Sequence, residues 1–369
     1  DMKASAGGGE VAVYHERIAV VLLIAAVTTV TLGHSAVLPF LPDLVDRAVP
    51  ETGSVWRARH IAALAAAYPV AICLLAPLWG RISDRWRRRP VLLLGLAGFS
   101  LALAIFRLES ITSLYASRLL AGACAAAVIP AAFALAADSS PSQEQRARRF
   151  TWLNAFLFAG ELSGPLLGQL TVALDSVSPF YVPALLAGGA MFGIMLAPLP
   201  REVRFEIAPS SPSPKHRVPA PLLVISATAA GGLSALHVAL MLESSAQPLA
   251  RESISWLLSL CGAVMLVAQI VHFTGRRVAD HASHHLRPML AGLAVALVGA
   301  IYATSAWLLI PVVLLAGWTV ATLRLLTSYL TSRASMQEQG FGLALQFAAI
   351  GAGQAAASFA AGWAGQSEH

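Results

Sequence analysis

The feature that most limits what this chain can become is a recurring one. Apolar stretches of about 20 residues, the length that crosses about 30 Å of hydrocarbon, follow one another along the whole sequence. About eleven are legible, near 17–40, 60–80, 89–107, 111–137, 150–173, 180–199, 219–241, 254–274, 288–304, 306–330 and 341–364. They lack the alternating pattern of an outer-membrane barrel strand, and backbone amides facing lipid have no water to satisfy them, so each is expected to be a helix. Composition agrees: of 369 residues, 57% are hydrophobic and 12% charged, too little polar surface to cover a soluble domain of this size. The expected class is an all-α integral membrane protein. The leader through Gly9 is short and Gly-rich, and the first apolar run has full span length with no small-residue cleavage site after it, so it reads as a span and not a signal peptide. Cys73, Cys124 and Cys261 all fall inside spans as small apolar packing residues, and no disulfide or zinc framework is visible.

The formal net charge of +6 would suggest an anionic partner until its distribution is followed. Arg81, Arg85, Arg87, Arg88 and Arg89 share one loop, and Arg146, Arg148 and Arg149 the next but one. Arg201, Arg204, Lys215 and Arg217 follow, then Arg276, Arg277 and Arg287, then Arg333. The loops between are short or balanced. By the positive-inside rule the N-terminus and the Arg-rich loops are expected on the cytoplasmic side of the inner membrane. The charge is topological, and no nucleic acid is called for.

The segment 200–218, PREVRFEIAPSSPSPKHRV, is a Pro/Ser-rich linker. It divides the chain into a tail at 1–16, an N-terminal helical bundle at 17–199 and a C-terminal bundle at 219–369. An ordered series supports duplication: LLAG at 119–122 and QEQ at 143–145 return as LLAG at 314–317 and QEQ at 337–339, and Gly160-Glu161 finds Gly353-Gln354. Two parallel six-helix halves with a site between them are a recurrent transporter plan. Here six spans precede the linker and about five follow, so the second half reads as one span short: truncated, lacking its last helix, or completed by a partner subunit.

Residues 80–92 read GRISDRWRRRPVL between the second and third spans. This resembles the signature of the major facilitator superfamily in that loop, through Gly80, Ser83, Asp84, Arg85, Arg88 and Arg89; Arg87 stands where the family has its second Gly. The resemblance implies the major facilitator fold, two pseudo-symmetric bundles that alternate access. It also implies a cytoplasmic latch in which Asp84 binds basic residues and helix dipoles, with Asp138 and Arg146 as partners from the end of the fourth span. Residues 160–169, GELSGPLLGQ, look like the family's antiporter signature, although Gln169 replaces its terminal Gly. Gly160, Gly164 and Gly168 lie four apart and form a groove on one helix face, and Pro165 removes a backbone hydrogen bond. Export in exchange for protons is what that resemblance implies.

Arg118 in the fourth span and Glu161 in the fifth come within about 5 Å of the same depth at 1.5 Å per residue, so a pair or a wet cavity is expected. Glu161 is the candidate proton carrier, because a carboxyl's proton affinity depends on its distance from a guanidinium. His34 in the first span and His237 in the seventh are expected to face each other across the cavity, either as titrating groups or as packing histidines. Asn154, Gln269, Gln346 and Gln354 read as interhelical glue, and Arg324 as a snorkelling residue. The DHASHH run, with Asp280, His281, His284 and His285, reads as a degenerate second latch and not a metal site. No phosphate-binding Gly-Lys-Ser/Thr loop and no nucleophile constellation is present, which excludes a self-contained ATPase pump and gives no sign of an enzyme or a cofactor. The expected partners are a small-molecule substrate, protons and membrane lipids. Uptake by symport, or a non-transporting membrane subunit, are the alternatives.

Overall fold

The computed structural model describes residues 2–50, 53–106, 110–140, 142–173, 180–197, 218–246, 251–272, 275–303, 306–335 and 338–364, and every regular element among them is a helix. The first half holds α1 (Met2–Val37), α2 (Leu41–Ala48), α3 (Ser54–Arg85), α4 (Arg88–Ile105), α5 (Ile111–Asp138), α6 (Gln143–Ala173) and α7 (Tyr181–Leu196). The second holds α8 (Ala220–Ala246), α9 (Arg251–Val271), α10 (Gly275–Tyr302), α11 (Ala306–Ala334) and α12 (Gln339–Ala364). One 3-10 turn, Leu38–Phe40, separates α1 from α2. It falls where Pro39 and Pro42 cannot donate to an α-helical ladder, so the proline pair ends the first span and starts a short amphipathic extension.

Among the described residues, eight helical segments are individually long and apolar enough to cross a bilayer, and Tyr181–Leu196 and Trp256–Val271 are shorter apolar helices. The remaining long helix, α6, carries Asn154, Glu161, Ser163 and Gln169 within its apolar stretch, which lowers its hydropathy where the function is expected. Several helices outrun the apolar stretches that announced them, α3 to Arg85 and α6 back to Gln143, because hydropathy marks the hydrocarbon crossing and not the helix end. The outer surface confirms the solvent: Ile301 is 80% and Trp307 82% exposed, with Leu185 and Leu196 also outward, an apolar coat that only lipid covers. Trp56, Trp86, Trp152 and Trp363 are exposed as well. Inside, several hydroxyls bond back to carbonyls four residues earlier, as Thr28 to Ile24 at 2.8 Å and Thr322 to Trp318 at 2.8 Å, which satisfies those donors among apolar helices.

Within the first half α1 packs on α6, and α3 and α4 pack on α5; in the second, α8 packs on α12, and α10 and α9 on α11. The duplicated words fall on corresponding helices: the LLAG pair in α5 and α11, and the Gly160-Glu161 and Gly353-Gln354 pair in α6 and α12. The halves join along two seams, α3 with α12 and α6 with α9. Close approach there needs missing side chains. A Cβ on Gly351 would meet Pro69 O at 2.6 Å and Cys73 N at 2.9 Å across the first seam, and one on Gly262 would meet the Leu162 backbone at 2.7 Å across the second. The linker at 200–218, apart from Val218, and the Asp280 and His281 side chains lie outside the described residues.

Candidate functional site

One end of the bundle gathers the C-terminus of α3 and the N-termini of α4, α6 and α12, and this is the Arg-rich end. Asp84, on the last turn of α3, accepts from the backbone N–H groups of Gly340 at 3.0 Å and Phe341 at 2.8 Å, the first turn of α12. A carboxylate there satisfies orphan amides and meets the positive end of the helix dipole, so one half caps a helix of the other. Arg88 lies between two carboxylates, 2.8 Å from Asp84 and 2.8 Å from Asp138, and also donates to Ser83 Oγ at 3.0 Å. The Arg81 guanidinium stands 4.7 Å over the Phe341 ring. A Cβ on Gly80 would meet the Gly340 carbonyl at 2.8 Å, and Gly340 has the Asp84 carboxylate and the Arg88 head group where its own Cβ would be. Ala147 of α6 packs with Leu325, Leu326 and Tyr329 of α11, so the halves touch here through apolar groups as well.

The remaining signature residues take other positions. Arg85 is exposed, Arg89 donates to the Met195 carbonyl at the end of α7, and Arg146 is buried with Nη2 3.4 Å from the Ala137 carbonyl, making no ion pair among the described residues. Arg88, not Arg146, is the cation that links Asp84 to Asp138, because it starts α4 directly beside both carboxylates.

Deeper in the bundle, a cavity of about 50 Å³ lies between the halves, with His34, Ser35 and Glu161 on one side and Ser234, His237, Cys261 and Gln354 on the other. Close packing of α6 on α1 positions His34 and Glu161. Gly160, Gly164 and Gly168 turn the α6 stripe onto α1, where added Cβ atoms would strike Thr28 O at 2.7 Å and Leu32 O at 2.7 Å, and Ser35 Oγ donates to Gly160 O at 3.0 Å. That contact brings α1 and α6 together at the level of His34 and Glu161, and Pro165 lines the cavity one turn on.

Arg118 departs from its expected place. It does not line the cavity and makes no ion pair with Glu161; its Nε donates to Leu64 O at 3.2 Å, its Nη1 lies 3.2 Å from His34 Nδ1, and its guanidinium sits 5.2 Å over the Tyr68 ring. Axial depth brought Arg118 level with Glu161, but helix rotation turns Arg118 toward α1 and α3. The cation whose field reaches Glu161 is Arg324 of α11, half-buried, with its guanidinium 5.8 Å from the Phe158 ring and 5.5 Å from the Phe347 ring. Arg324 is therefore not a snorkelling residue. Sequence reasoning had a signal for it, an arginine two turns inside an apolar stretch. It had none for the Gly340 and Phe341 amides, which are backbone. Gln269 and Gln346 do act as glue, bonding Ala321 O at 3.0 Å and Thr327 Oγ1 at 2.9 Å, while Gln354 faces the cavity. Among the described residues no group of His, Cys, Asp and Glu is arranged to hold a metal ion.

The family model of the Major Facilitator Superfamily matches residues 21–357. The chain belongs to that superfamily. Among relatives of this major facilitator protein, the tetracycline resistance protein of class B from Escherichia coli is 36% identical over 156 residues, 42% of this chain and 38% of that one. Multidrug resistance protein 2 from Bacillus subtilis is 29% identical over 168 residues, 45% of this chain and 40% of that one. The matched stretches thus span about two fifths of the length of these curated relatives. The crystal structure of the human organic anion transporter MFSD10 has the same fold, with a TM-score of 0.72 at 21% identity over 95% of this chain and 94% of that one. His34, Glu161 and His237 line the cavity between the halves.

Proposed function

We propose that this major facilitator protein is a secondary transporter that exports a small organic molecule across the cytoplasmic membrane in exchange for protons. The observation that carries the proposal is the capping of α12 by Asp84. One half holds a helix end of the other through two charge-assisted hydrogen bonds, closing the Arg-rich end over a buried cavity that contains Glu161 and two histidines. The positive-inside rule puts the Arg-rich end in the cytoplasm, so the latched state is the one closed to the cytoplasm. Release of the latch would let the halves rock about the α3–α12 and α6–α9 seams and open the cavity to the cytoplasm. At about 50 Å³ the cavity holds a few waters and no drug-sized ligand, for which sites run to about 300–1,000 Å³, so substrate enters only as the halves part.

Glu161 and Arg324 sit on opposite halves, which supports proton exchange. A carboxylate holds a proton less tightly beside a guanidinium than apart from it, so a motion that changes their separation changes proton affinity between the two open states. The likeness to a tetracycline resistance protein and a multidrug resistance protein supports a drug as substrate and export as the direction. Tetracycline uptake into inside-out membrane vesicles tests the reading. An acidic interior should drive accumulation, and a protonophore should abolish it. Accumulation driven by the reverse gradient would replace export with symport. No gradient-driven movement, together with a stable hetero-complex in mild detergent, would make the chain a structural subunit.

A further inference from the structure

A second hollow, sharing no residue with the cavity, runs down the outside of the first half between α1 and α6, bordered by α7. Its volume is about 1020 Å³. At the Arg-rich end its mouth carries Arg17 of α1, Arg148 and Arg149 of α6, and Gln145. Below them the floor is apolar, formed by Val20, Val21, Ile24, Trp152, Phe156 and Leu186. Arg149 is buried and held in place, donating to Ala136 O at 3.3 Å and Ser139 Oγ at 2.6 Å, whereas Arg17 and Arg148 are exposed. Glu144 on the same turn of α6 is exposed and does not line the hollow.

The dimensions match one leaflet of a bilayer. From Arg17 to Thr29, both lining residues of α1, the helix rises about 18 Å, close to half of about 30 Å of hydrocarbon plus the depth of a phosphate. A cationic mouth at head-group level above an apolar floor that reaches toward the midplane fits a molecule with a phosphate at one end and a hydrocarbon chain at the other. A soluble anion would leave the floor uncovered, and a zwitterionic lipid would bring its own cation against the arginines.

We propose that this hollow binds one anionic phospholipid, its phosphate among Arg17, Arg148 and Arg149 and an acyl chain along Val21, Ile24 and Phe156. The site lies against the outer faces of α1 and α6, the helices that carry His34 and Glu161 on their inner faces, so its occupant steadies the pair that lines the cavity.

The test is native mass spectrometry of the full chain, taken into mild detergent from vesicles of equal parts phosphatidylglycerol and phosphatidylcholine. The wild type should retain one phosphatidylglycerol in preference to phosphatidylcholine. The Arg17→Gln/Arg148→Gln double variant should lose that preference by about tenfold or more, the Arg17→Lys/Arg148→Lys variant should keep most of it, and Arg287→Gln, an exposed arginine of the other half, should change nothing. An excess of glycerol phosphate should fail to displace the lipid. Equal retention of the two lipids, retention unchanged in the Gln double variant, an equal loss in Arg287→Gln, or displacement by glycerol phosphate would each overturn the proposal. None of these readings depends on whether the chain transports.

Discussion

Arg118 Nη1 lies 3.2 Å from His34 Nδ1, a contact between α5 and α1 in the interior of the first half. A guanidinium has donors only, so Nδ1 of His34 is the acceptor, and the proton of the neutral ring is on Nε2. With the Leu64 carbonyl as its second partner, Arg118 ties α5 to both α1 and α3. His34→Leu removes that acceptor and leaves a buried cation short of one partner. The expected cost is about 1.5–3 kcal/mol, the range for hydrogen bonds to charged groups. His34→Gln offers a carbonyl oxygen instead and should recover most of it. Thermal unfolding in detergent measures both, and equal midpoints for the Leu and Gln variants would remove the bond from the account.

At the Arg-rich end, Asp84→Asn keeps the shape of the side chain and removes its charge. One amide bond to α12 can persist through the remaining oxygen, while the second must face an NH2 group. Hydrogen exchange at Gly340 and Phe341 should rise by about tenfold or more, as expected when a charge-assisted bond worth about 1.5–3 kcal/mol is lost. Exchange in the middle of α12 should stay as it was. Unchanged protection at Gly340 and Phe341 would mean that the apolar contacts of Ala147 and Tyr329 hold this end shut by themselves.

The glycines of α6 give a contrast inside one helix class. Gly164→Leu puts side-chain atoms into Ser35 and the backbone of Leu32 and Ala36, which cannot retreat without moving α1. Overpacking of this kind costs about 1–3 kcal/mol. Gly188 and Gly189 of α7 have nothing within 4 Å of an added Cβ, so Gly188→Ala should leave the unfolding midpoint where it is or raise it slightly. A Gly164→Leu protein as stable as the wild type would show that the stripe is not a contact surface.

How far the sequence reached can be read from these residues. Span periodicity revealed the helices and the family resemblance revealed Asp84, because both are written in consecutive letters. The contact between Asp84 and α12 was out of reach, since its partners are the backbone amides of residues more than 250 positions away that carry no side-chain signal. Arg118 and Glu161 were expected to pair or to share a wet cavity because rise along a helix is fixed at about 1.5 Å per residue, but rotation about the axis decides facing, and a span apolar all round does not reveal its rotation. Arg324 was legible as an intramembrane charge and passed over because arginines near span ends often reach the interface. In the fold it is enclosed by Phe158 and Phe347.

On the proposed mechanism, Glu161 couples movement of substrate to movement of protons. The most direct measurement is tetracycline accumulation in vesicles with an imposed proton gradient, comparing the wild type with Glu161→Gln, a side chain of the same shape that cannot release a proton. The wild type should show gradient-driven accumulation and Glu161→Gln none above the protein-free background, with unfolding midpoints that agree within a few degrees. Gradient-driven accumulation by Glu161→Gln at the wild-type rate would contradict that mechanism.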